Sequence, residues 1–182
     1  LRLTARRITE EIGAQRDLRA AERGELAPSQ AALTPDVALE RTWAYFAGHE
    51  LIQDCELVVA SCSNDVFIET DPVILGRVLG NMVKNALEAV PAGESVTMGC
   101  RVLEDAVEFF VHNPGAMDDQ ARLEVFKRSF STKGPGRGLG TYSMKLLTER
   151  YLRGAVDFTT SREHGTTFFV RLPLPEETGE PS

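Results

Sequence analysis

Two asparagines one helical turn apart, Asn81 and Asn85, stand in the stretch DPVILGRVLGNMVKNALEAV, residues 71–90. Apolar residues recur at 74, 75, 78, 79, 82, 83, 86, 87 and 90, the pattern of an amphipathic helix with one face in a core. At roughly 100° per residue, Arg77, Asn81, Lys84, Asn85 and Glu88 share the opposite face. Asparagine is a mediocre helix former because its amide competes for backbone hydrogen bonds. Two on one stripe cost stability unless they bind something. A neutral amide oxygen suits a hard cation, and the ammonium of Lys84 suits phosphate. Taken alone, the helix is equally consistent with a polar stripe carrying two incidental asparagines. A second candidate is SFSTKGPGRGLG, residues 129–140, with glycines at 134, 136, 138 and 140 and with Lys133 and Arg137 among them. Alternating glycines before a helix free backbone N–H groups to cradle phosphate, and the helix N-terminus adds favourable potential. A flexible surface loop is the competing reading. The spacing is neither that of a P-loop nor that of a dinucleotide fingerprint. A third is His112-Asn113-Pro114-Gly115, where a strand runs out and leaves a polar side chain over a cleft.

The elements that must position these groups can be read along the chain. Residues 3–26 form a helix with a thin apolar stripe at Leu3, Ile8, Ile12 and Leu18, stopped by Gly24. So narrow a stripe suits a coiled-coil or bundle partner. Residues 27–32 are small and polar, a linker. Thr34-Pro35-Asp36 starts a helix, with Thr as N-cap and Pro at the first position. Residues 56–60 and 66–69 are short β-type runs around a turn at 61–65. After the asparagine helix, residues 95–103 and 107–111 predict a hairpin. A short helix at 118–127, the glycine run, a helix over 141–152 and a hairpin of 154–160 with 166–172 follow. Strands come in adjacent pairs rather than in βαβ alternation. This predicts an α+β fold, a two-layer sandwich of a mixed, mostly antiparallel sheet on helices, preceded by a helix. The boundaries are 1–26 for the helical segment, 27–32 for the linker, 33–174 for the main domain and 175–182 for a disordered tail.

Composition narrows the function classes. A net charge of −7 supplies no basic field for nucleic acid, so duplex binding is disfavoured. The cysteines, Cys55, Cys62 and Cys100, show no CxxC spacing and read as reduced thiols, neither a disulfide framework nor a zinc site. No apolar run approaches a membrane span, so no membrane contact is expected of this segment, and the charged start LRLTARR is not a signal peptide. The missing initial Met suggests a piece of a longer protein.

Several of these stretches, in order, resemble the ATP-binding catalytic domain of sensor histidine kinases, of the superfamily that includes gyrase, Hsp90 and MutL. NMVKNALEA is similar to the kinase N box, FKRSFSTKG to the F box and GPGRGLGTYSMKLL to the G2 box. GTTFFVRLPL resembles the last strand, and the resemblance spans residues 33–174. EIGAQRDLRAAERG resembles the end of the dimerisation helix that precedes such domains. The resemblance implies a Bergerat-type fold, ATP and Mg²⁺ as cofactors, and in-line transfer of the γ-phosphate to a histidine on a dimerisation helix. It implies that Asn85 ligates Mg²⁺, that Asn81 lies beside the γ-phosphate as the catalytic residue, and that Lys84 supplies positive charge. Gly136, Gly138 and Gly140, with Leu139, would form the phosphate-facing lid, bordered by Thr132 and Lys133. Gly115 belongs to the ATP-binding set, and Thr167 would approach the adenine from the last hairpin. The implied partners are the phosphoacceptor domain of the same protein, a response regulator, and a second copy in a full-length homodimer. The implied location is the cytoplasm, in a full-length protein that can be membrane-attached.

The chain departs from the pattern in the G1 box, normally an Asp followed by two spaced glycines. In VHNPGAM, strand phase with one residue deleted puts Asn113 in the Asp position, while an ungapped reading puts His112 there. Asn113 is favoured, because its amide oxygen can still accept from adenine. Pro114 or Ala116 stands where a glycine is expected, which implies weaker nucleotide binding and leaves a non-catalytic nucleotide-sensing or scaffolding module as the alternative. His49-Glu50-Leu51 looks like the start of a phosphoacceptor motif, but no Pro-Leu follows. It also lies too close to Asn81 to leave room for a helical hairpin, so the acceptor histidine is expected outside this chain. ATPases and serine kinases of the same fold place a Glu where this chain has Asn81.

Overall fold

The structure, a computed structural model, describes residues 2–60, 66–128 and 139–175, with side chains from residue 12 onward. The chain runs α1 (Arg2–Arg23), β1 (Ala31–Leu33), α2 (Pro35–Phe46), a 3-10 turn (Glu50–Ile52), β2 (Glu56–Val59), β3 (Ile68–Thr70) and α3 (Pro72–Leu87). It continues with β4 (Ser95–Val102), β5 (Ala106–Asn113), α4 (Asp119–Glu124), α5 (Leu139–Arg150), β6 (Ala155–Ser161) and β7 (Gly165–Pro173).

The main sheet has the order β2-β4-β5-β7-β6. Its β4–β5, β5–β7 and β7–β6 pairs are antiparallel and its β2–β4 pair is parallel. Helices cover one face. The fold is therefore the expected α+β sandwich, a mixed and mostly antiparallel sheet on helices. Alternation makes the layer: Val107, Phe109 and Val111 of β5 and Phe168, Val170 and Leu172 of β7 are buried on the helix side. On the outer face Glu108, only 4% exposed, is held by Arg101 and Arg171 at 2.7 Å each. That pairing satisfies a carboxylate that burial alone would disfavour.

The central helix buries Ile74, Leu75, Val78, Leu79, Met82, Val83, Ala86 and Leu87, the face expected from its period. Asp71 caps it, accepting from the N–H groups of Val73 at 2.8 Å and Ile74 at 2.9 Å. The other carboxylate oxygen accepts from the N–H of Ser29 at 2.7 Å. The cap thus also anchors the connection from α1.

Three expectations are corrected here. Ala31 and Ala32, placed in the linker, form β1, which pairs antiparallel with β3 in a separate two-stranded sheet. The neighbours β2 and β3 therefore part company, because β2 joins β4 across α3. The reading of the cysteines as reduced thiols fails at Cys100, which is disulfide-bonded, while Cys55 is a free thiol. A disulfide depends on which strands and loops meet in space, which sequence spacing does not reveal. Cys62 and the turn at 61–65 lie outside the described residues, as do most of the glycine run and the C-terminal residues 176–182.

The N-terminal helix is not a free arm. Leu18 is 5% exposed and Ala21 fully buried, whereas Ile12 is 63% exposed. Its last turns dock on α5: the Tyr151 hydroxyl donates to the Ala21 carbonyl at 2.7 Å and Arg150 donates to the Glu22 carbonyl at 3.1 Å. Orphan carbonyls at a helix end are satisfied this way.

Candidate functional site

The core face of α3 turns the asparagine stripe toward the N-terminus of α5. A methyl group placed on Gly140 would lie 3.5 Å from Oδ1 of Asn85 and 3.7 Å from Oδ1 of Asn81. The two amides and the first turn of α5 therefore form one cradle, with no side chain at Gly140 to fill it. Among the described residues, Asn85 Nδ2 is buried without a hydrogen-bond partner. A buried amide left unpaired costs about 1–3 kcal/mol, so this group is open to a further partner in the cradle. Leu139 opens α5 beside Gly140, and Lys84 is exposed on the rim of α3. Thr132, Lys133, Gly136 and Gly138 lie outside the described residues.

The strand end at the other side of the cleft resolves by parity. Asn113 pairs with Thr166 across β5 and β7, and both point to the helix side, 3% and 2% exposed. Nδ2 of Asn113 donates to the Gly115 carbonyl at 3.2 Å. Its amide oxygen carries no hydrogen bond among the described residues. Thr166 Oγ1 donates to the same carbonyl at 2.7 Å and contacts Thr160 Oγ1 at 2.8 Å. Thr160 in turn accepts from the Met117 N–H at 2.9 Å. A network of this kind fixes the loop after β5.

His112 and Thr167, the next cross-strand pair, face the opposite way and bond to each other at 3.0 Å. With Arg101, Phe110 and Phe169 they line a shallow depression on the outer face of the sheet. Thr167 is thus corrected: period-two alternation sends its side chain away from the asparagine cleft. Thr166 faces the helix side instead, as the phase of Phe168, Val170 and Leu172 already indicates. Gly165, at φ 68°, turns the β6–β7 hairpin against the Asn113 and Pro114 backbone, where any side chain would collide. His49 is a cap: its ring Nδ1 accepts from the Leu51 N–H at 3.2 Å.

The family description "Histidine kinase-, DNA gyrase B-, and HSP90-like ATPase" matches residues 70–176, which hold the asparagine helix, the strand end and the last hairpin. The chain belongs to this family. The curated relatives it matches carry the names of sensor histidine kinases. The sensor histidine kinase CusS of Escherichia coli K12 is 33% identical over 110 residues, 57% of this chain and 22% of its own length. The sensor histidine kinase DcuS of the same strain is 33% identical over 134 residues, 71% of this chain and 24% of its own. The chain thus spans about a quarter of the length of these relatives. Among solved structures, the catalytic domain of histidine kinase ThkA superposes with a TM-score of 0.71 at 21% identity, covering 80% of this chain and 98% of that one. Full-length ShkA in complex with AMPPNP gives 0.74 at 22% identity over 94% of this chain and 38% of its own. At such identities the structural likeness establishes the fold. Among the described residues no helix is long and apolar enough to cross a membrane.

The donor set fits one kind of metal. Among the described residues, no three His, Cys, Asp or Glu side chains cluster to hold an ion. What the cleft offers is amide oxygen, a hard neutral donor suited to Mg²⁺ that takes its remaining ligands from phosphate and water. The residues present therefore fit a magnesium–nucleotide complex.

Proposed function

We propose that this chain is the catalytic part of a two-component sensor histidine kinase, transferring the γ-phosphate of ATP to a histidine outside residues 1–182. The observation that carries the reading is the convergence of the Asn81 and Asn85 amides on Gly140, with Asn85 Nδ2 buried and unpaired among the described residues. Asn85 would ligate Mg²⁺, which when bound neutralises phosphate charge and orients the nucleotide. Asn81 would lie beside the γ-phosphate, and Lys84 would add positive charge. Asn113 would accept from the adenine amino group. Gly115 would leave room beside it, where an added methyl would lie 3.1 Å from Asn113 Nδ2. Thr132, Lys133, Gly136, Gly138 and Leu139 would border the phosphates. The unprotonated imidazole nitrogen of the acceptor attacks phosphorus as the bond to the β-phosphate oxygen breaks, and ADP departs with that oxygen. A neutral imidazole needs no base to bare its lone pair. This suits a site with Asn81, since an amide takes up no proton. Water or a serine hydroxyl would need a carboxylate there.

The relatives' names support the proposed partners: a phosphoacceptor domain of the same full-length protein, a response regulator, and a second copy of the chain. A cytoplasmic location is part of the same proposal. The test is thermal unfolding with nucleotide. Millimolar Mg²⁺-ATP should raise the Tm by mass action, and Asn85→Ala should abolish the Mg²⁺-dependent part of that rise while leaving the apo Tm largely unchanged. No rise in the parent chain overturns the reading. Nucleotide binding without transfer to any supplied acceptor would instead favour the sensing or scaffolding module.

A further inference from the structure

The helix α1 touches both walls of the nucleotide cleft. Asp17 pairs with Arg77 at 2.9 Å, and Arg77 stands one turn before Asn81 on α3. The Glu22 carboxylate takes Arg128 Nε at 2.7 Å and Nη2 at 3.4 Å. At the end of α5, the Tyr151 hydroxyl donates to the Ala21 carbonyl at 2.7 Å and Arg150 donates to the Glu22 carbonyl at 3.1 Å. The buried Leu18 and Ala21 lie between the two polar ties. The cradle itself is a pairing of α3 with α5, closed among the described residues by no bond of its own: Gly140 has no side chain, and Asn85 Nδ2 is unpaired.

We infer that α1 is a brace across the nucleotide site, in which Asp17 and Tyr151 are positioning residues that set α3 and α5 at the spacing the nucleotide needs. The inference rests on the nucleotide-binding reading above. Neither residue touches the ligand. Asp17 acts through Arg77, and Tyr151 acts through the Ala21 carbonyl at the end of α1. Holding the cradle in its binding geometry before the ligand arrives reduces the ordering cost of binding. Linkage makes the effect reciprocal: nucleotide should tighten the docking of α1 by the same factor. A movement of α1 imposed from the N-terminal side would then reach the asparagine pair through the Asp17–Arg77 ion pair and the Tyr151 hydrogen bond.

The experiment measures Mg²⁺-ATP affinity by calorimetry on the 182-residue chain, at a temperature where every variant is folded by circular dichroism. Tyr151→Phe and Asp17→Asn should each weaken binding about threefold to tenfold, within the usual span of coupling between sites. Arg77→Asp should do the same alone, and combining it with Asp17→Arg should restore affinity to within about twofold of the parent. A role confined to stability would lower the Tm of these variants and leave their Kd at the parent value, and that result overturns the inference. Failure of the charge swap to restore affinity overturns the Asp17 half. A parent chain that binds no Mg²⁺-ATP sinks the function reading as well. A parent that binds beside variants that bind equally sinks the brace alone.

Discussion

Asn113 and His112 are neighbours in sequence and opposites in space. One is buried on the helix side and the other bonds Thr167 on the outer face. Asn113→Ala should weaken ATP by about 1–3 kcal/mol, the usual cost of losing a buried hydrogen bond. His112→Ala should change the Kd little. Titration of both variants with a fluorescent adenine nucleotide decides, and the reverse ranking would put the G1 deletion in the wrong place. Thr166→Val should weaken binding indirectly, because it removes one of the two donors that hold the Gly115 carbonyl. Thr167→Val should not. This pair shows what was legible at the residue scale. Asn113 followed from strand phase, since its polar side chain shares a face with Val107, Phe109 and Val111. Thr167 was carried over from a motif without the same check, and one residue of phase reverses a strand's faces. Asn81 and Asn85 were legible because a 3.6-residue period leaves them on the only polar face of an otherwise apolar helix.

Elements were legible where their signals are local and illegible where partners are distant. The Thr34-Pro35 start of α2, the apolar stripe of α3 and the β6–β7 turn all announce themselves within a few residues. The parallel placement of β2 beside β4 does not, because it depends on the crossover through α3. The docking of α1 also lay outside sequence reach: Leu18 belonged to the thin stripe assigned to a helical partner, yet its own domain buries it. One tie of that docking should be visible in pH. Arg128, with a smaller contribution from Tyr142, holds the Glu22 carboxyl below its ordinary value of 4.5, against the upward push of burial. Arg19 adds to the lowering. A depressed carboxylate pKa means that the unfolded chain binds the proton more readily. The contribution is therefore present above the unfolded pKa and lost as pH falls through the folded one. The Tm gap between the parent and Glu22→Gln should be full near neutral pH and should shrink below about pH 4.5. A gap that stays constant to pH 3 would show that the ion pair contributes nothing. At Gly165 the left-handed φ and the Asn113 carbonyl against it predict that Gly165→Ala lowers the Tm and, by shifting the strand end, weakens nucleotide.

For the whole molecule, the chain should hold the nucleotide and lack the acceptor. Incubated alone with labelled ATP, it should gain no acid-labile phosphate, since His49 caps a turn, His112 bonds Thr167 and His164 sits exposed in the β6–β7 turn. Supplied with a separate acceptor helix pair, it should transfer slowly, because separation discards the effective concentration of a tether. Asn81→Ala should reduce that transfer more than it reduces binding, as for a group that acts mainly in the transition state. The structure divides the apolar stripe of α1 between two duties, and this sharpens the last prediction. Ile12 is 63% exposed and available to a partner helix, while Leu18 is spent on the domain. Ile12→Asp should therefore cut transfer to the separate acceptor while leaving the Tm and the Mg²⁺-ATP affinity near the parent values. Leu18→Asp should lower the Tm by about 5 °C or more, because a buried unpaired charge costs several kcal/mol and each is worth roughly 2–4 °C at this size. If instead Ile12→Asp leaves transfer untouched while Leu18→Asp abolishes it in a chain that melts normally, α1 has left the domain in solution, and its docked face is the one the acceptor uses.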